Sequence, residues 1–489
     1  MTSLANHKKK LALAGAIVVV PLLGHAAVGP LTAIEPPAVA RVVETPAESA
    51  GIRRIGASYT RVRGGVREVY LEGTPEEIGR RHAALLYDRM AENEGTVWSD
   101  FERFVPLAPA RALLTDVGRV RYRHVDRGFP DARRRELAAE TLAFDPDPFA
   151  PHMPTYQRFV FLHALYDIAL SFEHSPLIGC SAFGLGTGAT ADGHALLARA
   201  FDFEAGDVFD RDKAVFFVRG TESRDGRAPI PFASVAWPGL VGVLSGMNVE
   251  GVSVIVNGGR AREPRTEGEP VVASLRDVLE RAHDTYEAVA ILTSQTVMVS
   301  HIVFVGDARG RFAVVERAPG VDASVREMSS ATSRIAVTNH FEGSLRDDPK
   351  NRDVEAHTTT LPRRARLDEA LSAMPPKSGS VRGAVALLRD HACAGGAACE
   401  LGDRRAIDAL IATHGIVADT TARVLWVSAG PHLSGRFVRF DLAKIFAPGH
   451  DPSADPEPET IEEDPILNDG RYREGRARAG GPRIGGDAP

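Results

Sequence analysis

The stretch Leu177-Ile178-Gly179-Cys180-Ser181-Ala182-Phe183 determines how the rest of this 489-residue chain is interpreted. A thiol becomes a strong nucleophile when a nearby base or cation favours the thiolate. The glycine before Cys180 has no side chain to shield its carbonyl. This pair suits a cut between Gly179 and Cys180, followed by catalysis by a cysteine that is now an N-terminus. Its freed α-amino group, with an ordinary pKa of roughly 7.7 to 8.0, would then serve as the base.

Residue type alone favours a plainer interpretation of Cys180, since a single free cysteine is usually a small buried residue. The composition excludes other classes of protein. The net charge of -6 leaves no basic excess for binding nucleic acid. Three cysteines are too few for a disulfide scaffold. Cys393 and Cys399 flank a flexible spacer that would let them pair in an oxidising compartment, and without a second pair or a histidine cluster no metal site is expected.

The N-terminus, residues 1–34, has the pattern of a targeting segment. Three lysines at 8–10 precede an apolar run from Leu11 to Ile34. Its strongest part, Leu11 to Leu23, has the length of a signal-peptide core, and the whole run is long enough to span a bilayer. Since His25 makes a poor cleavage site, the pattern favours export with an uncleaved membrane anchor, with a cleaved signal and a secreted or periplasmic protein as the alternative.

The remaining chain divides by composition. Residues 35–55 are rich in proline and are predicted to be a linker. Residues 56–179 predict one strand and then mostly helices, the first of which begins at the capping sequence Thr74-Pro75-Glu76-Glu77. Residues 180–447 are rich in strand patterns. Residues 448–489 contain too few apolar residues to pack and are predicted to be disordered. Many strands without βαβ alternation predict an α+β protein with largely antiparallel sheets.

Four motifs in this order are similar to those of a known family. They are Gly73-Thr74-Pro75-Glu76-Glu77-Ile78-Gly79, the run from Gly179 to Phe183 with Arg199-Ala200-Phe201-Asp202, Gly246-Met247-Asn248 with Gly251 and Asn257, and Thr338-Asn339-His340-Phe341. From about Val69 to Leu442 the chain resembles the autoproteolytic acyltransferases related to acyl-coenzyme A:6-aminopenicillanate (isopenicillin N) acyltransferase. These are N-terminal nucleophile (Ntn) hydrolases, as are penicillin V acylases and bile-salt hydrolases.

The resemblance implies a four-layer αββα fold with two stacked antiparallel sheets, made as a precursor in which residues 56–179 precede the cut at Gly179-Cys180. It makes Cys180 the nucleophile, assigns Arg199 to lowering the pKa of the thiol and assigns Asp202 to anchoring the new ammonium group. Asn257 and Asn339 would form the oxyanion hole, where each donor typically contributes a factor of about 100 to 1000 in rate.

Several points stay open at the level of sequence. Arg199 and Asp202 are three residues apart, so in a regular strand their side chains point to opposite faces unless the strand bulges. Asn257 and Asn339 also suit ordinary turns. Relatives use an arginine late in the chain, for which Arg436 and Arg439 are both candidates. Ala200 departs from the asparagine or aspartate of many relatives.

These observations predict an enzyme, an amidohydrolase or acyltransferase that acts on a non-peptide C–N bond of a small acylated amine through a thioester on Cys180. No metal or organic cofactor is implied. The acyl group is expected to lie near Trp237 and Val241, in an apolar stretch with small residues. The alternative is a membrane-tethered, non-catalytic binding protein that keeps the fold, which Ala200 favours. The sequence leaves open the acyl group, the amine, transfer against hydrolysis, and the oligomeric state.

Overall fold

Two β-sheets form the centre of the molecule, for which a computed structural model describes residues 23–171, 178–203, 207–223 and 226–480. The predicted anchor core, Leu11 to Leu23, lies outside these residues except for its last position, and the anchor stays a prediction. Within the described ranges, none of the helices combines the length and the apolar character needed to cross a bilayer.

The strands lie, in chain order, at β1 (Ala47–Ser49), β2 (Ile52–Ile55), β3 (Ser58–Arg63), β4 (Val66–Gly73), β5 (Ile178–Leu185), β6 (Leu196–Phe203), β7 (Ala214–Gly220), β8 (Phe232–Ala236), β9 (Ser245–Asn248), β10 (Ser253–Gly258), β11 (His301–Gly306), β12 (Phe312–Arg317), β13 (Ser324–Glu327), β14 (Arg334–Val337), β15 (Ala412–Asp419), β16 (Val424–Ser428), β17 (Phe437–Asp441) and β18 (Thr460–Ile461). The first sheet has the order β1-β2-β3-β4-β7-β8-β9-β10-β11-β12-β13, and the second has β14-β5-β6-β15-β16-β17-β18. Among these strands the neighbours are antiparallel, except that β4 runs parallel to β7.

The helices lie at α1 (23–31), α2 (Pro75–Phe104), α3 (Ala108–Arg121), α4 (Asp131–Ala143), α5 (Thr155–His163), α6 (Leu165–Leu170), α7 (Val208–Arg211), α8 (Val271–Arg281), α9 (Thr285–Ser294), α10 (Pro349–His357), α11 (Thr360–Ala373), α12 (Val381–Leu388), α13 (Leu442–Ile445) and α14 (Arg471–Ala479). The predicted capping box opens α2. Thr74 Oγ1 accepts a hydrogen bond from the Glu77 amide, and the Glu77 carboxylate accepts one from the Thr74 amide. With Pro75 at the first helical position, local sequence alone fixes where this helix begins.

Three apolar layers hold the elements together. Between the sheets, side chains of both pack face to face, among them Leu197 and Phe440 from one sheet and Phe217 and Phe304 from the other. The outer face of the eleven-stranded sheet packs on α2, α8 and α9, and that of the seven-stranded sheet packs on α11 and α12. The order helix, sheet, sheet, helix confirms the predicted α+β class and its αββα layers.

Two segments are more ordered than their composition predicted. The last part of the expected linker forms β1 and β2 at the edge of the first sheet. The expected disordered tail is wrong for residues 448–480, because β18 pairs with β17 and α14 packs on the body of the protein. Asp455 supplies the reason, since it forms an ion pair with the buried guanidinium of Arg61 and another, at 2.8 Å, with Lys444.

Candidate active site

The thiol of Cys180 lies against the guanidinium group of Arg199. Cys180 is fully buried in β5, and its Sγ accepts a hydrogen bond from Arg199 Nη2 at 3.5 Å. The pairing of β5 with β6 places Phe201 opposite Cys180 and Arg199 opposite Ala182. Because alternate residues of a strand share a face, this register brings Arg199 to the side of the sheet from which the thiol projects.

Arg199 is itself held by main-chain oxygens. Its Nη1 donates to Leu244 O at 2.9 Å and to Ser245 Oγ, and its Nη2 also donates to Val256 O. The guanidinium lies over the Phe201 ring, 4.2 Å from the ring centre. A buried cation with this many fixed acceptors has one orientation, so β9 and β10 determine where the positive charge meets the thiol.

The surroundings of Cys180 raise the pKa of its thiol. Burial raises the pKa of Cys180, the positive charge of Arg199 acts against that rise, and the carboxylate of Asp202 adds to it. Since burial is the largest of these effects, opening the site to water would leave Arg199 as the dominant influence and lower the pKa of the thiol.

Asp202 lies on the opposite face of the sheet from Arg199. It pairs with Gly179 across the two strands, and its Oδ2 would be 3.3 Å from a Cβ added to that glycine. The irregularity of pairing occurs in β15, between Ala412 and His414, rather than in β6. Charged side chains therefore lie on both faces of the sheet here. Arg199 contacts the Cys180 thiol on one face, and Asp202 lies beside Gly179 on the other. Ala200 packs in the apolar layer under α11 and α12, away from the thiol.

Asn339 fixes the start of β5 from the side. Its Oδ1 accepts a hydrogen bond from the Cys180 amide at 2.8 Å, and its Nδ2 donates to Gly258 O at 3.0 Å. The Asn257 side chain donates from Nδ2 to Thr338 O at 3.1 Å. The structure thus brings both asparagines to the strands around Cys180, with Asn339 alone of the two in contact with it among the described hydrogen bonds.

Arg363, which the sequence did not single out, is the second cation at Cys180. This buried residue of α11 donates from Nη1 to the Cys180 carbonyl and, at 3.0 Å, to Ser181 Oγ. Its Nη2 donates to Asn339 Oδ1 at 2.8 Å. The two candidates for a late arginine lie elsewhere: Arg436 is exposed, and Arg439 pairs with Asp441 at 3.2 Å. Of these three late arginines, Arg363 is the one that contacts Cys180.

The loop 237–243 closes over the thiol-bearing face. The Trp237 indole packs against Phe201 with ring centres 6.1 Å apart and against Phe209 at 5.4 Å, and it is buried. Val241 is half-buried. Of the two predicted acyl-binding residues, Trp237 lies beside the strands of Cys180 and Phe201, whereas Val241 packs against a separate apolar cluster that includes Tyr122 and Met298. A cleft of about 380 Å³ lies elsewhere, lined by charged residues of α4 and α8, and includes none of the predicted site residues.

Buried polar side chains hold the main chain of this loop. His82 Nε2 accepts from the Gly239 amide at 3.0 Å, and His163 Nε2 accepts from the Val241 amide at 2.9 Å. Asn93 donates to Pro238 O at 3.2 Å. A histidine that accepts a hydrogen bond at one ring nitrogen must be neutral. Accordingly, burial lowers the pKa of His82 to about 3 and that of His163 to about 4.

Comparison with known proteins bears on this arrangement. Residues 190–404 match the model of the acyl-coenzyme A:6-aminopenicillanic acid acyl-transferase family, a stretch that contains Arg199, Asn257, Asn339 and Arg363.

The predicted resemblance to this family is confirmed. An uncharacterised protein of Archaeoglobus fulgidus is 24% identical over 269 residues, which are 50% of this chain and 41% of that protein. The chain thus matches about two fifths of that relative's length.

Two solved structures share low overall similarity with this chain. The N-acylethanolamine-hydrolyzing acid amidase ortholog of Caenorhabditis elegans is 14% identical, with a TM-score of 0.35, over 50% of this chain and 93% of its own. Penicillin V acylase from Agrobacterium tumefaciens is 16% identical, with a TM-score of 0.35, over 54% of this chain and 91% of its own. The resemblance to the acyl-transferase family rests on the sequence match over residues 190–404.

Proposed function

We propose that this chain is a self-cleaving amidohydrolase or acyltransferase that uses Cys180 as an N-terminal nucleophile on an acylated amine. The observation that carries the proposal is the set of contacts at one residue. Arg199 meets the Cys180 thiol, Asn339 meets its amide nitrogen, and Arg363 meets its carbonyl oxygen. The main-chain N–H and C=O of any buried residue need partners, so the contact that a cysteine serving only packing would not need is the guanidinium of Arg199 at its sulfur.

In the first reaction, Cys180 Sγ attacks the carbonyl carbon of Gly179. The amide bond between the two residues breaks as a thioester forms, and the thiol proton goes to the Cys180 nitrogen. Water then hydrolyses the thioester, which restores the thiol and leaves a carboxylate on Gly179. Asn339 and Arg363 hold the peptide unit of Cys180 still during the attack, which converts proximity into rate.

In the second reaction, the freed α-amino group of Cys180 takes the thiol proton, and the thiolate attacks the acyl carbon of the substrate. Asp202 holds the amino group, and Arg199 stabilises the thiolate. The proposed oxyanion donors are the side-chain amides of Asn257 and Asn339, whose other N–H groups bond to Thr338 O and Gly258 O. The amine leaves with a proton, and water or an acceptor amine takes the acyl group from the thioester.

The test is turnover of a panel of N-acyl amines that differ in acyl length, with mass detection of an acyl adduct on the peptide that begins at Cys180. Wild-type protein is expected to release amine and to accumulate the adduct with at least one substrate. Cys180→Ala should do neither, and Asn339→Asp should lower turnover by about 100- to 1000-fold. Amine release by Cys180→Ala at the wild-type rate would remove Cys180 from the mechanism.

A further inference from the structure

Helix α3 presents its apolar side to solvent. Leu113, Leu114, Val117 and Val120 are 64%, 49%, 54% and 44% exposed, and the helix contains no buried residue. Their spacing of one, four and seven residues places them on one face of a helix. A surface helix of a globular protein normally has the opposite arrangement, so this face is built to be covered by something other than water.

The polar side of α3 faces the protein. Asp116 Oδ2 lies 2.7 Å from His25 Nδ1 of α1, and Arg119 donates to Gly29 O of α1 at 3.1 Å and to Gln157 Oε1 at 3.3 Å. These contacts fix the rotation of the helix. The apolar face of α3 therefore points away from the body of the protein.

The surroundings of this face are basic. Residues 119–127 contain four arginines and one aspartate, whereas the whole chain has a net charge of -6. Arg121, Arg123 and Arg127, at the end of the helix and just beyond it, are exposed. An apolar helix face flanked by arginines matches the chemistry of an anionic bilayer surface, in which acyl chains take the apolar residues and headgroups take the guanidinium groups.

The neighbouring helix gives an independent reason for this partner. The α1 segment that contacts α3 continues directly from the apolar run Leu11 to Leu23, and its own Leu23 and Leu31 are 65% and 77% exposed. Two adjacent helices thus carry exposed leucines at the place where the most apolar part of the sequence joins the body.

We propose that the α3 face, defined as Leu113, Leu114, Val117 and Val120 with Arg121 and Arg123, docks in the plane of an anionic membrane surface. The helix lies in the interface and does not cross the bilayer. This proposal is independent of the chemistry at Cys180.

The test uses the full chain with Val117→Trp, and Val325→Trp as the matched control on the exposed edge strand β13, where Val325 is 41% exposed. Vesicles of phosphatidylcholine and phosphatidylglycerol containing brominated lipid should quench the emission added by Val117→Trp and shift it to the blue, with no effect on that added by Val325→Trp. Arg121→Glu with Arg123→Glu should weaken vesicle binding by about tenfold or more, and added salt should also weaken it.

Three outcomes would overturn the proposal. Vesicle-bound protein with unquenched emission from position 117 would mean that another segment docks. Blue-shifted emission from position 117 before vesicles are added would mean that the chain itself, or a second copy or another protein, covers the face. Absence of vesicle binding at low salt would exclude a bilayer as the partner.

Discussion

Arg363 connects three groups of the site through one side chain. Because it donates to the Cys180 carbonyl, to Ser181 and to Asn339, a lysine at this position would keep the charge and lose the forked geometry. Arg363→Lys is expected to slow cleavage at Cys180 by about 10- to 100-fold, the effect of losing one hydrogen bond to a charged group. The measurement is the appearance of the cut chain over time during synthesis.

Arg364 is the matched control for Arg363, since it stands next on the same helix and pairs with Asp368 at 3.0 Å and with Glu342 on a more exposed side. Arg364→Lys should cleave at the wild-type rate. Equal slowing of both variants would show that α11 as a whole, rather than the contact with Cys180, had been disturbed.

Arg199 gives the second prediction for a single residue. In the cut protein, Arg199→Met should shift the pH profile of Cys180 alkylation to higher pH, because the cation that favours the thiolate is gone. Ser245→Ala is the control, since it removes a neighbour of Arg199 and leaves the charge. The measurement is the rate at which iodoacetamide alkylates Cys180 across a range of pH. An unchanged pH profile in Arg199→Met would show that Arg199 does not act on the thiol.

Among the elements, the loop 237–243 depends on neutral histidines. His163 accepts from the Val241 amide, so His163→Leu leaves that donor unpaired and should reduce the free energy of unfolding by about 1 to 3 kcal/mol. His163→Gln, which keeps an acceptor near the same place, should restore most of the loss. Urea unfolding at neutral pH measures both, and equal stability of the leucine and glutamine variants would mean that the hydrogen bond contributes nothing.

The same histidine predicts an effect of pH. Burial lowers the pKa of His163 to about 4, whereas in the unfolded chain it is near 6.5, so between these values the unfolded state binds the additional proton. Its contribution to stability is therefore complete above pH 6.5 and is lost as the pH falls toward 4, by about 1.4 kcal/mol per pH unit. The wild type should lose stability over this window more steeply than His163→Gln, and parallel curves would contradict the assignment.

How far sequence predicts an element depends on how local its cause is. The start of α2 was predictable because Thr74, Pro75 and Glu77 determine it among themselves. Arg363 was missed because its partners Cys180 and Asn339 are far away in sequence. A signal was present, however, since Arg363 falls on the buried face of α11 together with Thr360, Leu367 and Leu371, where an arginine needs a partner.

On the scale of the whole molecule, the tail 448–480 shows what composition could not reveal. Its acidic and proline-rich sequence predicted disorder, yet Asp455 lies within reach of the buried Arg61 and of Lys444, and these cations lower its pKa to about 2 even though burial opposes the shift. The order of the tail comes from partners supplied by other parts of the fold.

Truncation tests the role of the tail. Ending the chain after residue 447 should lower the free energy of unfolding by about 1.5 to 3 kcal/mol, because the buried Arg61 loses its charged hydrogen bond to Asp455 and keeps its pairing with Glu68. Ending it after residue 480 is the matched control and should change little. Urea midpoints of the two truncated chains measure this, and equal midpoints would contradict a structural role for residues 448–480.

The central claim is that Cys180 cuts the chain before itself and so becomes the working N-terminus. The most direct measurement is intact mass spectrometry of the purified wild type and Cys180→Ala, with N-terminal sequencing of each chain. The account predicts two chains in the wild type, the second beginning at Cys180, and one uncut chain in Cys180→Ala. A wild-type chain that stays whole at every pH at which the protein is folded would contradict it. So would a Cys180→Ala chain that is cut between residues 179 and 180.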